Sequence, residues 1–157
     1  MADKTVVMKL LDKKGIKYIP YIYDCPEAIS AEDLAVKLGK RNCDVFKTLV
    51  TVGKTGKNYV FVLPAGKELD LKKAAKCVGE KSIDMLKAKD LLPLTGYIHG
   101  GCSPIGMKKF FPTTIDISCN DVPTITVSAG ALGHQVELTT DELAKVIRFT
   151  IADITAE

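Results

Sequence analysis

No tryptophan occurs in these 157 residues, and aromatic side chains make up only 6% of them. A surface built for stacking bases is therefore not advertised, since single-strand recognition leans on aromatic platforms. No apolar run approaches the roughly 18 residues a membrane span needs, so no membrane contact is expected. The opening MADKTVVMKLLDKKG carries charges throughout and has no uninterrupted apolar core, which excludes a signal peptide. The five cysteines, Cys25, Cys43, Cys77, Cys102 and Cys119, are odd in number and none forms a C-x-x-C pair. A disulfide framework or a zinc site is not expected; reduced thiols in a cytoplasmic protein fit better. The two histidines, His99 and His134, are far apart and make no metal motif, so no metal is expected. A concentrated basic stripe is also missing. Net charge is +3, and the basic clusters are short: Lys72, Lys73 and Lys76, then Lys108 and Lys109.

What is present is globular. Hydrophobic residues make up 46% and charged residues 26%, and the length suits one domain, residues 1–157. Val6, Val7, Leu10 and Leu11 recur at helical spacing, with Gly15 as the stop. IKYIPYIYD reads as extended. Ser30 with Asp33 forms a capping pattern ahead of a second helix that Gly39 ends. VFKTLVTV, the turn GKTGKN and YVFVLPA make a hairpin apolar on both faces, hence expected to be buried on both sides. LDLKKAAKCVG is a third helix, KSIDML is weakly extended, and KDLLPLTG is a helical turn broken at Pro93. YIHGGCSPIG reads as a short strand running into a glycine-rich loop. TTIDISC, PTITVSAG and HQVEL are three more strands. Thr139 with Glu142 opens a last helix over DELAKVIRF. This order predicts an α+β fold: a mixed, mostly antiparallel, barrel-like sheet surrounded by helices.

One residue breaks the hydrophobic pattern. Lys47 sits inside the strand CDVFKTLVTVG, in phase with Val45 and Leu49. Desolvating an ammonium costs several kcal/mol unless it is paired or lines a cavity. It is either an edge lysine that reaches out to solvent, a partner for a buried carboxylate, or a cation facing a pocket where it holds a phosphate, a carbonyl oxygen or a carboxylate. The loop Gly100-Gly101-Cys102-Ser103-Pro104 exposes consecutive N–H groups that could face an oxyanion, although a plain tight turn has the same composition. Ser128-Ala129-Gly130 ends a strand in small residues that could line the same space or simply turn. Cys102 with His99 invites a thiol-nucleophile reading, but no third group orients the pair.

Taken together, FKTL on a strand, LKKAAK on a helix, the loop TGYIHGGCSPIG, then ITVSAG and ELTTDELAKV resemble the YbaK/EbsC family of aminoacyl-tRNA deacylases. These are relatives of the editing domain inserted in bacterial prolyl-tRNA synthetases. The likeness runs nearly end to end, from about Val6 to Thr155. It implies a largely antiparallel barrel-like sheet, no cofactor, and removal of an amino acid wrongly esterified to the 3′ end of a tRNA, cysteine on tRNA for proline above all. The family lysine falls on Lys47 beside Phe46, the GxxxP loop on Gly100 to Pro104, the pocket tyrosine on Tyr23, and the small-residue strand end on Ser128, Ala129 and Gly130. Lys47, Gly100, Gly101 and Ser103 are thus the expected catalytic set. Tyr23, Phe46, Cys102, Pro104, Ser128, Ala129 and Gly130 are the expected substrate contacts. The implied partners are the aminoacylated tRNA end and prolyl-tRNA synthetase. Where many relatives carry a basic pair after SAG, this chain has Ala131-Leu132-Gly133, and an acidic position reads Gln135. Both departures bear on substrate identity. Editing of another amino acid such as alanine, or a non-catalytic tRNA-end or nucleotide-binding module, remain open alternatives.

Overall fold

Polar caps set most of the helix starts. In the computed structural model, which describes residues 4–156, Ser30 Oγ accepts from Asp33 N at 3.0 Å and Thr139 Oγ1 from Glu142 N at 3.1 Å. Asp70 takes the amides of both Lys72 and Lys73. The helices are α1 (Val6–Lys13), α2 (Ala31–Leu38), α3 (Leu71–Val78), α4 (Ala88–Thr95) and α5 (Thr140–Leu143). None is long and apolar enough to cross a membrane.

The strands are β1 (Ile19–Ile22), β2 (Phe46–Gly53), β3 (Asn58–Pro64), β4 (Ile83–Met85), β5 (Thr113–Asp116), β6 (Ile125–Ala131), β7 (His134–Leu138) and β8 (Thr150–Ala152). They form two sheets, of order β4-β2-β3-β5-β8 and β1-β7-β6. The β2–β3 hairpin is antiparallel as expected, whereas β3–β5 and β5–β8 are parallel. Among the described residues a single parallel bridge, Val45 to Thr126, ties the two sheets together. The barrel-like expectation is corrected accordingly: among the described residues no hydrogen-bonded ring closes. The α+β class holds.

β3 is buried on both faces. Val60 and Val62 enter a central core with Val7, Met8, Leu11, Phe46, Ile115 and Val127. Tyr59, Phe61 and Leu63 pack instead against Ala74 and Ala75 of α3. The third cluster, Leu34, Ala35, Val45 and Ala65, seats α2. Burial of β2 is less complete than its apolar sequence implies, for Lys47, Thr48 and Leu49 are only half-buried.

Other local expectations fail for identifiable reasons. Pro93 lies within α4 rather than breaking it, and Thr95 Oγ1 donates to the Leu91 carbonyl at 2.8 Å in the next turn. TTIDISC is strand only to Asp116, whose carboxylate takes the Ser118 amide at 3.1 Å and starts a 3-10 turn. The segment Tyr97–His99 is not a strand, and the last helix stops at Leu143, leaving β8 to pair with β5.

Candidate active site

The cavity exists because two strands part. Thr126 N donates to Asp44 O at 2.9 Å, making the Val45–Thr126 bridge. Two residues further on, Lys47 of β2 and Ser128 of β6 are no longer bridged. β6 changes register between Ser128 and Ala131, and Gly130 there takes φ +93°. The wedge between them is a cavity of about 380 Å³ closed by the start of α2 on one side and by α4 on the other.

Phe46, Lys47, Gly100, Cys102 and Ser128 line it. Among the described residues Lys47 Nζ makes one hydrogen bond, to the Ala65 carbonyl at 3.4 Å. Among the described residues no carboxylate lines the cavity, so the ammonium has no ion-pair partner there. The reading as partner to a buried carboxylate is thereby ruled out, and the lysine is left as an available cation.

The glycine loop is a turn with a partial opening. Gly101 N donates to Ile98 O at 3.0 Å, and Gly100 sits at φ +87°. A Cβ on Gly100 would lie 2.7 Å from Ala28 Cβ, so only glycine fits there. The Gly101 N–H is consumed, which corrects the expectation that every amide from Gly100 to Ser103 faces the ligand. The N–H groups of Gly100, Cys102 and Ser103 have no protein acceptor among the described residues. Ser103 is fully buried, and its hydroxyl accepts from the Ile105 amide at 3.2 Å. It supports the loop rather than reaching the cavity.

The remaining expected residues are placed differently. Ala129 points into the central core. Pro104 lines a separate cavity of about 170 Å³ with Phe110 and Phe111. Gly130 packs against Tyr97, whose ring would lie 2.9 Å from an added Cβ. Ser128 Oγ accepts from Gly130 N at 3.2 Å. Tyr23 stands one layer behind: Gln135 Nε2 donates to its Oη at 3.3 Å, and Gln135 lines the cavity. Burial pushes the Tyr23 phenol up, keeping it protonated. His99 and Cys102 both line the cavity without bonding each other, and burial pushes the Cys102 thiol up to about 12. That is the reverse of what a thiol nucleophile requires.

Sequence reasoning missed two groups. Thr48 lines the cavity, and its Oγ1 is buried with no hydrogen-bond partner among the described residues. The apolar walls at Ile29, Ala31, Met85 and Leu91 come from segments with no motif. Thr48 stands in a strand read as apolar on both faces, and no motif marks it.

Residues 25–146 match the family model of the aminoacyl-tRNA editing domain. The chain belongs to the YbaK/EbsC family of aminoacyl-tRNA editing domains. It is 43% identical to EbsC of Enterococcus faecalis, a protein named provisionally as a Cys-tRNA(Pro)/Cys-tRNA(Cys) deacylase, over 99% of this chain and 95% of that one. A 104-residue stretch is 27% identical to the proline–tRNA ligase of Pelobacter propionicus, covering 66% of this chain but 18% of the ligase. Among solved structures, a candidate trans-editing enzyme for prolyl tRNA synthetase superimposes with a TM-score of 0.82 at 25% identity, covering 96% of this chain and 95% of that one. The protein APE2540 superimposes with a TM-score of 0.85 at 20% identity over 96% and 99% of the two chains, which speaks to the editing-domain fold alone.

Proposed function

We propose that this chain acts in trans, as a single editing domain, to deacylate tRNA for proline that carries cysteine. The observation that carries the reading is Lys47: an ammonium in a cavity without a carboxylate, in a family of editing domains. The name of the E. faecalis relative supports the choice of substrate. The likeness to a stretch of a proline–tRNA ligase supports prolyl-tRNA synthetase as a partner in delivery.

The chemistry follows from what the cavity offers and lacks. Ester cleavage needs a nucleophile and stabilisation of the oxyanion. Among the described residues no nucleophile hydrogen-bonded to a base lines the cavity. Lys47 acts electrostatically, on the terminal phosphate or the ester carbonyl, and Cys102, whose amide has no protein acceptor among the described residues, lines the same cavity. The substrate's own thiolate attacks its ester carbonyl. The new C–S bond forms, the C–O bond to the ribose breaks, and the 3′ oxygen leaves and takes a proton from water. The amino acid departs as a thiolactone that water then opens. Attack within one molecule lets proximity lower the barrier without a triad.

The test is deacylation of tRNA for proline carrying cysteine, alanine or 2-aminobutyrate, the last having a methyl group in place of the thiol. Rapid loss of cysteine alone supports the reading. Loss of 2-aminobutyrate at a similar rate would remove the substrate-thiol step, and loss of alanine alone would change the substrate.

A further inference from the structure

The net charge of this protein is not spread over it. Between Lys81 and Lys109 lie five lysines and two aspartates, net +3; the remaining 17 basic and 17 acidic residues cancel. The whole excess of the chain therefore sits on the segment that forms one wall of the cavity, with Ala88, Leu91, His99 and Gly100 facing inward.

These charges are also unspent. Lys81, Lys87, Lys89, Lys108 and Lys109 are all exposed, and among the described residues none of their ammonium groups has a hydrogen-bond or ion-pair partner. The ion pairs among the described residues all lie elsewhere, such as Lys40–Glu137 and Lys73–Asp153. The grouping is spatial as well as sequential. Lys87 and Lys89 stand at the start of α4, which is about 12 Å long. Lys108 lies at its other end, its amide on the Thr95 carbonyl at 3.0 Å and its side chain over Gly96. Exposed Met85, Leu92, Ile98 and Phe110 are interleaved with the lysines. Across the cavity, α2 opens with the acidic pair Glu32 and Asp33.

We infer that the α4 face, through Lys87, Lys89, Lys108 and Lys109, is the docking surface for the phosphates of an RNA acceptor strand whose 3′ end enters the cavity. The inference rests on the deacylase reading for its direction. Asp84 and Asp90 lie on the same segment without an ion pair to these lysines, and counterion release rewards the cations left in excess. The half-exposed apolar side chains add surfaces on which unpaired bases can rest, with Phe110 the aromatic one.

The test uses a fluorescent RNA hairpin that copies an acceptor stem with its single-stranded CCA end, and full-length protein, with anisotropy read between 50 and 200 mM salt. Lys87, Lys89, Lys108 and Lys109 are changed together to Gln. A control changes the exposed Lys9, Lys13, Lys14 and Lys67 to Gln, removing the same charge. The α4 variant should bind at least about tenfold more weakly at low salt, with a salt slope lower by about three, while the control stays within about twofold. Equal loss in both variants, no loss in either, or no binding by the wild type at 50 mM salt overturns the assignment; an acidic protein surface then becomes the occupant to test. Turnover of cysteinyl-tRNA by the wild type is read separately. RNA binding through this face without turnover leaves the docking surface standing and removes the deacylase.

Discussion

Lys47 of β2 and Ser128 of β6 each lie two residues beyond the single bridge that joins the two sheets, and both line the cavity that opens there. The site is thus a place where sheet pairing stops. Its lysine is tolerated in an apolar strand because the partner strand has moved away and left space rather than packing.

The loop beside it depends on Gly100. Alanine at this position meets both an unfavourable positive φ and the Ala28 side chain. We expect Gly100→Ala to lose about 1–3 kcal/mol of stability and to shift the loop that carries Cys102 along the cavity wall. Deacylation should fall more than tenfold at a temperature where circular dichroism shows the variant still folded.

Cys102 should be dispensable. With a thiol near 12, the thiolate fraction at pH 8 is about one in ten thousand. Alkylation at Cys102 should therefore be much slower than at the exposed Cys43 and Cys77, as peptide mass mapping would show. Cys102→Ala should keep activity within about threefold. A dead but folded variant would return the nucleophile to the protein.

Thr48→Val removes a buried hydroxyl that has no partner and keeps the shape of the side chain. Stability should rise by up to about 1 kcal/mol, seen as a Tm increase of about 2–4 °C. A fall would mean that the hydroxyl is satisfied in solution.

Acid should loosen the support behind the cavity. Burial would raise the Glu137 carboxyl, but hydrogen bonds from Lys40, Tyr21 and Thr124 outweigh it and hold the group at about 2, below its ordinary 4.5. A depressed carboxylate stabilises the fold above the unfolded value, and that stability is lost as pH falls through the folded value. The loss should occur between about pH 4.5 and 2 and amount to about 1–2 kcal/mol once solvent screening is allowed for. Glu137→Gln should remove this part of the pH dependence in urea melts taken across that range.

Much of the fold was legible because it is local. Ser30, Thr139 and the hairpin turn act through neighbours in sequence, and each appears as read. Asp116 was misread because a carboxylate inside an apolar run can cap a turn as well as ride a strand. The two-sheet arrangement was not legible, since it depends on where β2 and β6 separate, which periodicity does not encode. Lys47 stands out from its apolar neighbours and Gln135 is marked only through the family resemblance, whereas Thr48, an ordinary polar residue in the same strand as Lys47, carries no signal. The charge excess near α4 is visible in the sequence as five lysines against two aspartates between Lys81 and Lys109, but that this segment walls the cavity is not, since it depends on where α4 packs.

The most direct test of the account is single-turnover deacylation of cysteinyl-tRNA for proline by the wild type, Lys47→Ala and Lys47→Arg, with thermal melts alongside. Lys47→Ala should lose at least about a thousandfold in rate while melting at or above the wild-type temperature, because it removes an unpaired cation from the cavity, and Lys47→Arg should recover only part of the rate. Lys47→Ala with near wild-type turnover would contradict the account and return the lysine to a solvent-reaching strand residue.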